Sequence, residues 1–260
     1  MILKVIILGI IEGLTEFLPI SSTGHLIIAN KFIEFTGEFA NMFDIVIQVG
    51  AIFAVVIYFR DKIFPNFKEK EQLKEKFYLW LKILVAFIPA AILGVLFNDK
   101  IEYYLFKPTP VAIALIVGGI FLVIAELVCK SPKIESEKNI TIFTALIVGF
   151  AQCFSLWPGM SRSASTIIGG LFVGFSRSIA AEFSFLLSIP TIMGASCYRL
   201  IKSKLVFSSY ELFLLLLGTL IAFIVAYFVV ALFMKFIKTN KLYPFAAYRI
   251  ILALVVLVVL

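Results

Sequence analysis

Charge is scarce in this chain: 15% of its 260 residues are Asp, Glu, Lys or Arg, where a soluble globular domain carries about 25%. Cysteine is scarce too. Cys129, Cys153 and Cys197 lie far apart in apolar surroundings, with neither metal-ligand spacing nor the pattern of a disulfide framework, and they read as packing residues. The alternating apolar and polar pattern of a membrane β-barrel is missing, which leaves helices as the way to span a bilayer. No small-residue cleavage site follows the apolar stretch Met1 to Ile11. Glu12 and Glu16 follow instead, so the stretch is read as part of the mature protein rather than a signal peptide. A nucleic-acid-binding module is absent as well. The net charge is +7, but the Lys-rich loop 60–82 is interleaved with Asp61, Glu69, Glu71 and Glu75, and excess Lys and Arg is what cytoplasmic loops of membrane proteins carry. That loop reads as a solvated connection that can meet lipid headgroups.

What the chain has is apolar length. Hydrophobic residues make up 62% of it, against roughly 45–50% in a soluble domain, and the excess is spread from end to end. A run of about 20 apolar residues spans a bilayer as a helix. Spanning segments are expected near 43–59, 80–97, 109–129, 180–200, 210–234 and 245–260, which makes the chain an all-α integral membrane protein with about six full transmembrane helices.

Two polar segments interrupt this pattern, and they resemble each other. One runs from Gly9 through Glu12, Glu16, Pro19, Ser21, Ser22, Thr23 and Gly24 to His25. The other runs from Gly149 through Gln152, Pro158, Gly159, Ser161, Arg162, Ser163 and Ser165 to Thr166. In each, a Gly is followed three residues later by a carboxylate or amide. An apolar stretch, a Pro and a hydroxyl-rich turn come next, with Ser22 matching Ser161 once one residue is gapped. Phe43, Gln48 and Tyr58 align with Phe183, Ser188 and Tyr198 at nearly the same offset. A short helix is expected after each turn, His25 to Phe32 and Thr166 to Phe175. Irregular backbone at membrane depth is tolerated only where protein or a water-filled cavity satisfies it. Both segments are therefore read as re-entrant helical hairpins. Three full crossings separate them, so the second enters from the opposite face. This is an inverted-topology repeat, approximately 1–129 and 140–260, within a single membrane domain.

Charge bias orients the chain. Fourteen basic residues (Arg60, Lys62, Lys68, Lys70, Lys74, Lys76, Lys82, Lys130, Lys133, Lys138, Arg177, Lys235, Lys238, Lys241) fall on one side and six (Lys31, Lys100, Lys107, Arg199, Lys202, Lys204) on the other. The first side is expected to be cytoplasmic. Gly118-Gly119 and Gly169-Gly170 allow close helix packing, within one subunit or between subunits of a homo-oligomer.

The residues able to do chemistry fall in the two turns. Glu12 and Glu16, four apart, share a helix face. Their repulsion in an apolar medium is relieved either by a divalent cation such as Mg²⁺ or Ca²⁺ or by one shared proton. His25, the only histidine, lies one helical turn after Ser22, which can place its imidazole at the hydroxyl as a general base. Ser21 and Thr23 complete that patch. Pro158 to Thr166 has the parts of an anion cradle: Gly159 for a tight turn, Ser161, Ser163 and Thr166 to cap the next helix, amides at a helix start, and the planar fork of Arg162.

At these residues the chain resembles the undecaprenyl-diphosphate phosphatase family of bacterial membranes, which is linked to bacitracin resistance. The motif Glu-x-x-x-Glu followed by Pro-x-Ser-Ser-Thr-Gly-His is matched by Glu12 to His25, and Pro-Gly-x-Ser-Arg-Ser-x-x-Thr by Pro158 to Thr166. The resemblance implies hydrolysis of undecaprenyl diphosphate to undecaprenyl phosphate and inorganic phosphate. That recycles the carrier lipid for cell-wall synthesis, at the outer face of the plasma membrane. On this reading Arg162 clamps the diphosphate and Ser22 attacks the terminal phosphorus with His25 taking its proton. Alternatively His25 or Glu16 activates water directly. The rival reading is a transporter or flippase for a polyprenyl-phosphate-type anionic lipid, since inverted repeats and broken helices are transporter architecture. An ion channel lined by Glu12 and Glu16 leaves Arg162 unexplained.

Overall fold

A computed structural model describes residues 1–65, 69–203 and 206–259. Lys68 and Lys204, counted in the charge bias above, lie outside the described residues, as does the last residue of the 245–260 segment. Apart from turns and connecting segments the described chain is helical, and its only β pairing is an isolated bridge between Ile134 and Phe175. The helices are α1 (Ile2–Thr15), α2 (Ser22–Ile33), α3 (Glu38–Tyr58), α4 (Arg60–Ile63), α5 (Lys70–Leu105), α6 (Pro108–Val128), α7 (Ile142–Cys153), α8 (Arg162–Phe172), α9 (Arg177–Ser203), α10 (Ser209–Ile237) and α11 (Tyr243–Val259).

Five of these, α3, α5, α6, α9 and α10, are long and apolar enough to cross a membrane. With 17 residues, α11 is a shorter apolar helix. Every expected apolar segment is helical, but α5 outruns its expected bounds of 80–97 at both ends. Its 36 residues extend about 54 Å at 1.5 Å per residue, against a hydrocarbon core of about 30 Å. Its early turns, rich in Lys and Glu, are solvated polar helix continuous with the apolar part. The outward faces carry Phe143, Leu216, Phe228, Leu232 and Val258, all exposed, as suits a bundle whose surroundings are lipid.

Packing is set by close backbone approach. α10 lies against α3 and α1, α11 against α6, and α5 against α7. At the α3–α10 crossing a Cβ on Gly50 would come 2.1 Å from the Thr219 carbonyl oxygen. The two glycine pairs read from sequence serve contacts within the subunit: a Cβ on Gly119 would meet Ala246 of α11, one on Gly169 would meet Ala151 of α7, and one on Gly170 would meet Ala180 of α9.

Basic residues at one end are held by carboxylates. Lys62 bridges Glu137 and Glu182, Lys138 meets Glu75 at 2.6 Å, and Arg177 meets Glu126 at 2.6 Å. Burial works against the Lys62 ammonium, yet the two carboxylates outweigh it and hold its pKa above the ordinary lysine value. Arg199 with Glu102 and Lys202 with Asp99 form a separate group.

Gly50→Ala should therefore lower the thermal midpoint in detergent, at an overpacking cost of about 1–3 kcal/mol. Gly94→Ala, whose Cβ would meet only Leu156 at an ordinary 3.5 Å, should not. Equal midpoints for the two variants would refute the close approach.

Candidate active site

α1 and α7 each stop short in a proline-containing turn, and each turn ends in a serine that caps the next helix. Ser21 and Ser161 both adopt positive φ, 72° and 70°, a conformation that costs a non-glycine residue about 1–3 kcal/mol. Their hydroxyls offset this by accepting a backbone N–H three residues on, Ser21 from Gly24 and Ser161 from Ala164, each at 3.2 Å. The matched serines are thus Ser21 and Ser161, which corrects the pairing of Ser22 with Ser161. At that pairing the segments align without a gap, since Gly9 to Ser21 and Gly149 to Ser161 are each twelve residues apart. Only the prolines fall out of register, because the second turn has one more residue after its proline and contains Gly159 at φ +96°, packed so that a Cβ would lie 2.4 Å from the Val111 carbonyl oxygen. The short helices also begin earlier than expected, directly after these caps.

The two turns meet. Arg162 Nη2 donates to Glu16 Oε1 at 3.3 Å, and both side chains are under a tenth exposed. Arg162 Nη1 donates to the Ser184 carbonyl of α9 at 3.0 Å, and the guanidinium lies over the Phe17 ring, 5.8 Å from its centroid. Ser163 Oγ donates to the Leu18 carbonyl at 2.8 Å and lies 3.0 Å from Ser161 Oγ. Thr166 Oγ1 lies 2.9 Å from the Arg162 carbonyl and 2.7 Å from Ser184 Oγ, fixing α8 against α9. Thr23, half-buried, sits in the first turn of α2.

Ser22 is not paired with His25. Its Oγ donates to Glu16 Oε2 at 2.6 Å, so one carboxylate holds both the serine hydroxyl and the arginine. Side chains on a helix lean toward its N-terminus. Ser22, first in α2, therefore leans back to the turn that carries Glu16. His25 leans back only as far as the Ser21 carbonyl, which its Nδ1–H reaches at 2.7 Å. That leaves Nε2 as an acceptor for the Tyr248 hydroxyl at 2.7 Å, with the two rings stacked. Glu12 is fully buried, one turn before Glu16, and neither of its oxygens has a protein partner.

Buried polar atoms without a partner sort by half of the chain. On α1, α2 and α3 they are oxygen acceptors: both of Glu12, Asn30 Oδ1 and Asp44 Oδ1. Around the second turn they are Trp157 Nε1, Arg162 Nε and one end of the Gln152 amide. The first group suits a cation and the second an anion. Among the described residues no three His, Cys, Asp or Glu side chains converge as metal ligands. Mg²⁺, however, is commonly held by one or two carboxylates with substrate phosphates completing the shell, and the free oxygens of Glu12 fit that donor set.

Sequence reasoning missed Tyr248, Ser184, Asp44 and above all Arg249, a fully buried arginine on α11. The signal for Arg249 was present, since a single charge inside an apolar run marks a functional site by default.

An α-helical multi-pass membrane protein emerges, with a buried polar site where two helix-breaking turns meet. The chain belongs to the bacitracin resistance protein BacA family, whose model matches residues 5–255. It is 50% identical over 258 residues to an undecaprenyl-diphosphatase of Caldanaerobacter subterraneus subsp. tengcongensis, covering 99% of this chain and 95% of that protein. It is 48% identical to an undecaprenyl-diphosphatase of Fusobacterium nucleatum subsp. nucleatum, covering 98% and 99%. With one from Enterococcus faecalis it shares 45% identity over 99% and 96%.

Removing one partner of a buried ion pair costs about 3–5 kcal/mol. Arg162→Met should lower the thermal midpoint accordingly, and adding Glu16→Gln should restore part of the loss. Strictly additive effects in this double-mutant cycle would show that the two turns are not coupled through the pair.

Proposed function

We propose that this chain hydrolyses undecaprenyl diphosphate to undecaprenyl phosphate and inorganic phosphate. The observation that carries the reading is the Ser22 hydroxyl held on the Glu16 carboxylate, with Arg162 on the same carboxylate. That array is a nucleophile, its base and an anion clamp in one contact. A transporter needs only the clamp.

In the proposed mechanism Arg162, the amides opening α8, and the hydroxyls of Ser161, Ser163 and Thr166 hold the diphosphate and neutralise charge that develops in the transition state. Gly159 lets that turn sit close to α6, and the start of α2 with Ser21 and Thr23 faces the same phosphate. Ser22 Oγ forms a bond to the terminal phosphorus as the bridging P–O bond breaks. Its proton passes to Glu16, and undecaprenyl phosphate leaves with the electron pair. Water then displaces Oγ from phosphorus, and Glu16 returns the proton to the serine. His25, held by the Ser21 carbonyl and Tyr248, steadies the turn that carries Ser22; the proton-accepting role expected for it from sequence passes to Glu16. Direct attack by a water activated by Glu16 is the variant without a covalent intermediate. Glu12, beside Glu16, would hold a divalent cation, Mg²⁺ or Ca²⁺, which supplies neutralisation of the phosphate oxygens.

The architecture we propose is six crossings with α11 as the sixth, and two re-entrant hairpins, α1–α2 and α7–α8, in an inverted repeat of 1–129 and 140–260. The matching serine caps support it. So does the matched packing of Gly9 on α10 and Gly149 on α5, where a Cβ would come 2.9 Å and 2.4 Å from a backbone oxygen. The basic end is assigned to the cytoplasm of a bacterial plasma membrane, with the catalytic site opening to the outer side.

The test is phosphate release from undecaprenyl diphosphate by purified protein in detergent, where no gradient exists. Arg162→Ala should reduce the rate about 10²-fold or more. Ser22→Ala should abolish turnover, and labelled phosphate should be trapped on Ser22. Substantial activity in Ser22→Ala would exclude the covalent step and leave the water mechanism. No phosphate release by the wild type would favour transport.

A further inference from the structure

Arg249 on α11 is fully buried. Among the described residues no carboxylate meets it; its four hydrogen bonds all go to main-chain carbonyls. Nε donates to Leu115 at 3.1 Å and Nη2 to Ala114 at 3.1 Å, which seats the guanidinium on α6. Nη1 reaches the Pro19 carbonyl at 3.3 Å, and Nη2 reaches that of Gly159 at 3.0 Å. Pro19 and Gly159 belong to the two helix-breaking turns, one in each half. Gly118 leaves room for the fork, since a Cβ there would lie 2.1 Å from Nη2.

We infer that Arg249 is a positioning residue that locks the two turns against each other, so that the starts of α2 and α8 converge on one phosphate, and that its unpaired charge biases the site toward an anion. This rests on the diphosphate reading above for what occupies the site. A brace alone does not call for this residue. Burying a charge with no counter-ion costs several kcal/mol, and well-packed apolar side chains of similar volume commonly serve a core as well or better. What an apolar residue cannot do is hold two carbonyls from separate turns with one rigid plane. Those carbonyls are drawn to α11, and the helix-start amides that follow them stay available to the ligand. The four dipoles offset only part of the charge, and a bound anion offsets more. Small displacements matter here, because misplacing a reacting group by about 1 Å can cost 10²-fold in rate.

The experiment compares the wild type with Arg249→Lys, Arg249→Met and Gly118→Ala, each full length in detergent, by phosphate release from undecaprenyl diphosphate. Lysine keeps the charge as a point but cannot span four carbonyls. It should leave KM within about threefold while kcat falls about 10²-fold. Methionine should lose kcat to a similar extent and raise KM about tenfold as well. Gly118→Ala keeps Arg249 and its charge but crowds Nη2, and should lower kcat with KM little changed. Thermal midpoints report folding; should Arg249→Met not fold, the lysine and alanine variants carry the test. A second arm measures the rise in thermal midpoint with inorganic diphosphate, expected to be smaller than in the wild type in Arg249→Met and, where that variant does not fold, in Arg249→Gln, which also removes the charge. Wild-type kinetics in the folded variants, or equal midpoint shifts, overturns the inference. If the wild type releases no phosphate, the proposed reaction fails, while the midpoint shifts still decide the role of Arg249.

Discussion

The contact between Glu16 and Arg162 is the constraint on which the rest of this structure depends. Two helices break inside an apolar bundle, and each break carries a charge that would cost several kcal/mol to bury alone. Neither turn is tolerable without the other. Ser163 on the Leu18 carbonyl and Thr166 against Ser184 then fix the approach of α8. Glycines on α1, α3, α7 and α8 let the surrounding backbones close around the pair.

The two halves begin from one local design and diverge by a residue. Each turn ends in a serine at positive φ that caps the next helix. The first residue of the following helix is Ser22 in one half and Arg162 in the other. Both side chains lean back from equivalent positions, and both reach the same carboxylate. One position therefore supplies a hydroxyl and its counterpart a guanidinium. The unpartnered atoms follow the same division, oxygens in the first half and chiefly N–H groups in the second.

Much of this was legible in the sequence. Apolar segments gave the helices because length and composition alone decide whether a segment can cross a bilayer. The serine-rich motifs marked the turns because proline and hydroxyls there have few other uses at membrane depth. The partner of Ser22 was not legible. Spacing on a helix favours His25, but a residue at the first helical position is directed by the turn before it, and that turn's shape is not a periodic feature. The charge of Arg249 inside an apolar run was visible, but what the residue holds was hidden for another reason. Its partners are four main-chain carbonyls from three segments of the chain, and carbonyls carry no side-chain signature.

The arrangement also bears on how an anion is received. Glu16 already engages both Arg162 and Ser22, so the arginine is held in place before any ligand arrives. Its Nε remains unpartnered while Nη1 and Nη2 are occupied. An anion that satisfied this buried N–H would leave the pair with Glu16 intact. Preorganised donors that need not move as charge develops are the commonest source of electrostatic catalysis. A carrier, by contrast, must release its cargo on the far side, and a clamp built into the main-chain contacts of α6, α9 and both turns has little freedom to open. The rigidity that makes two broken helices stable in an apolar medium is the same property that favours chemistry at this site over passage through it.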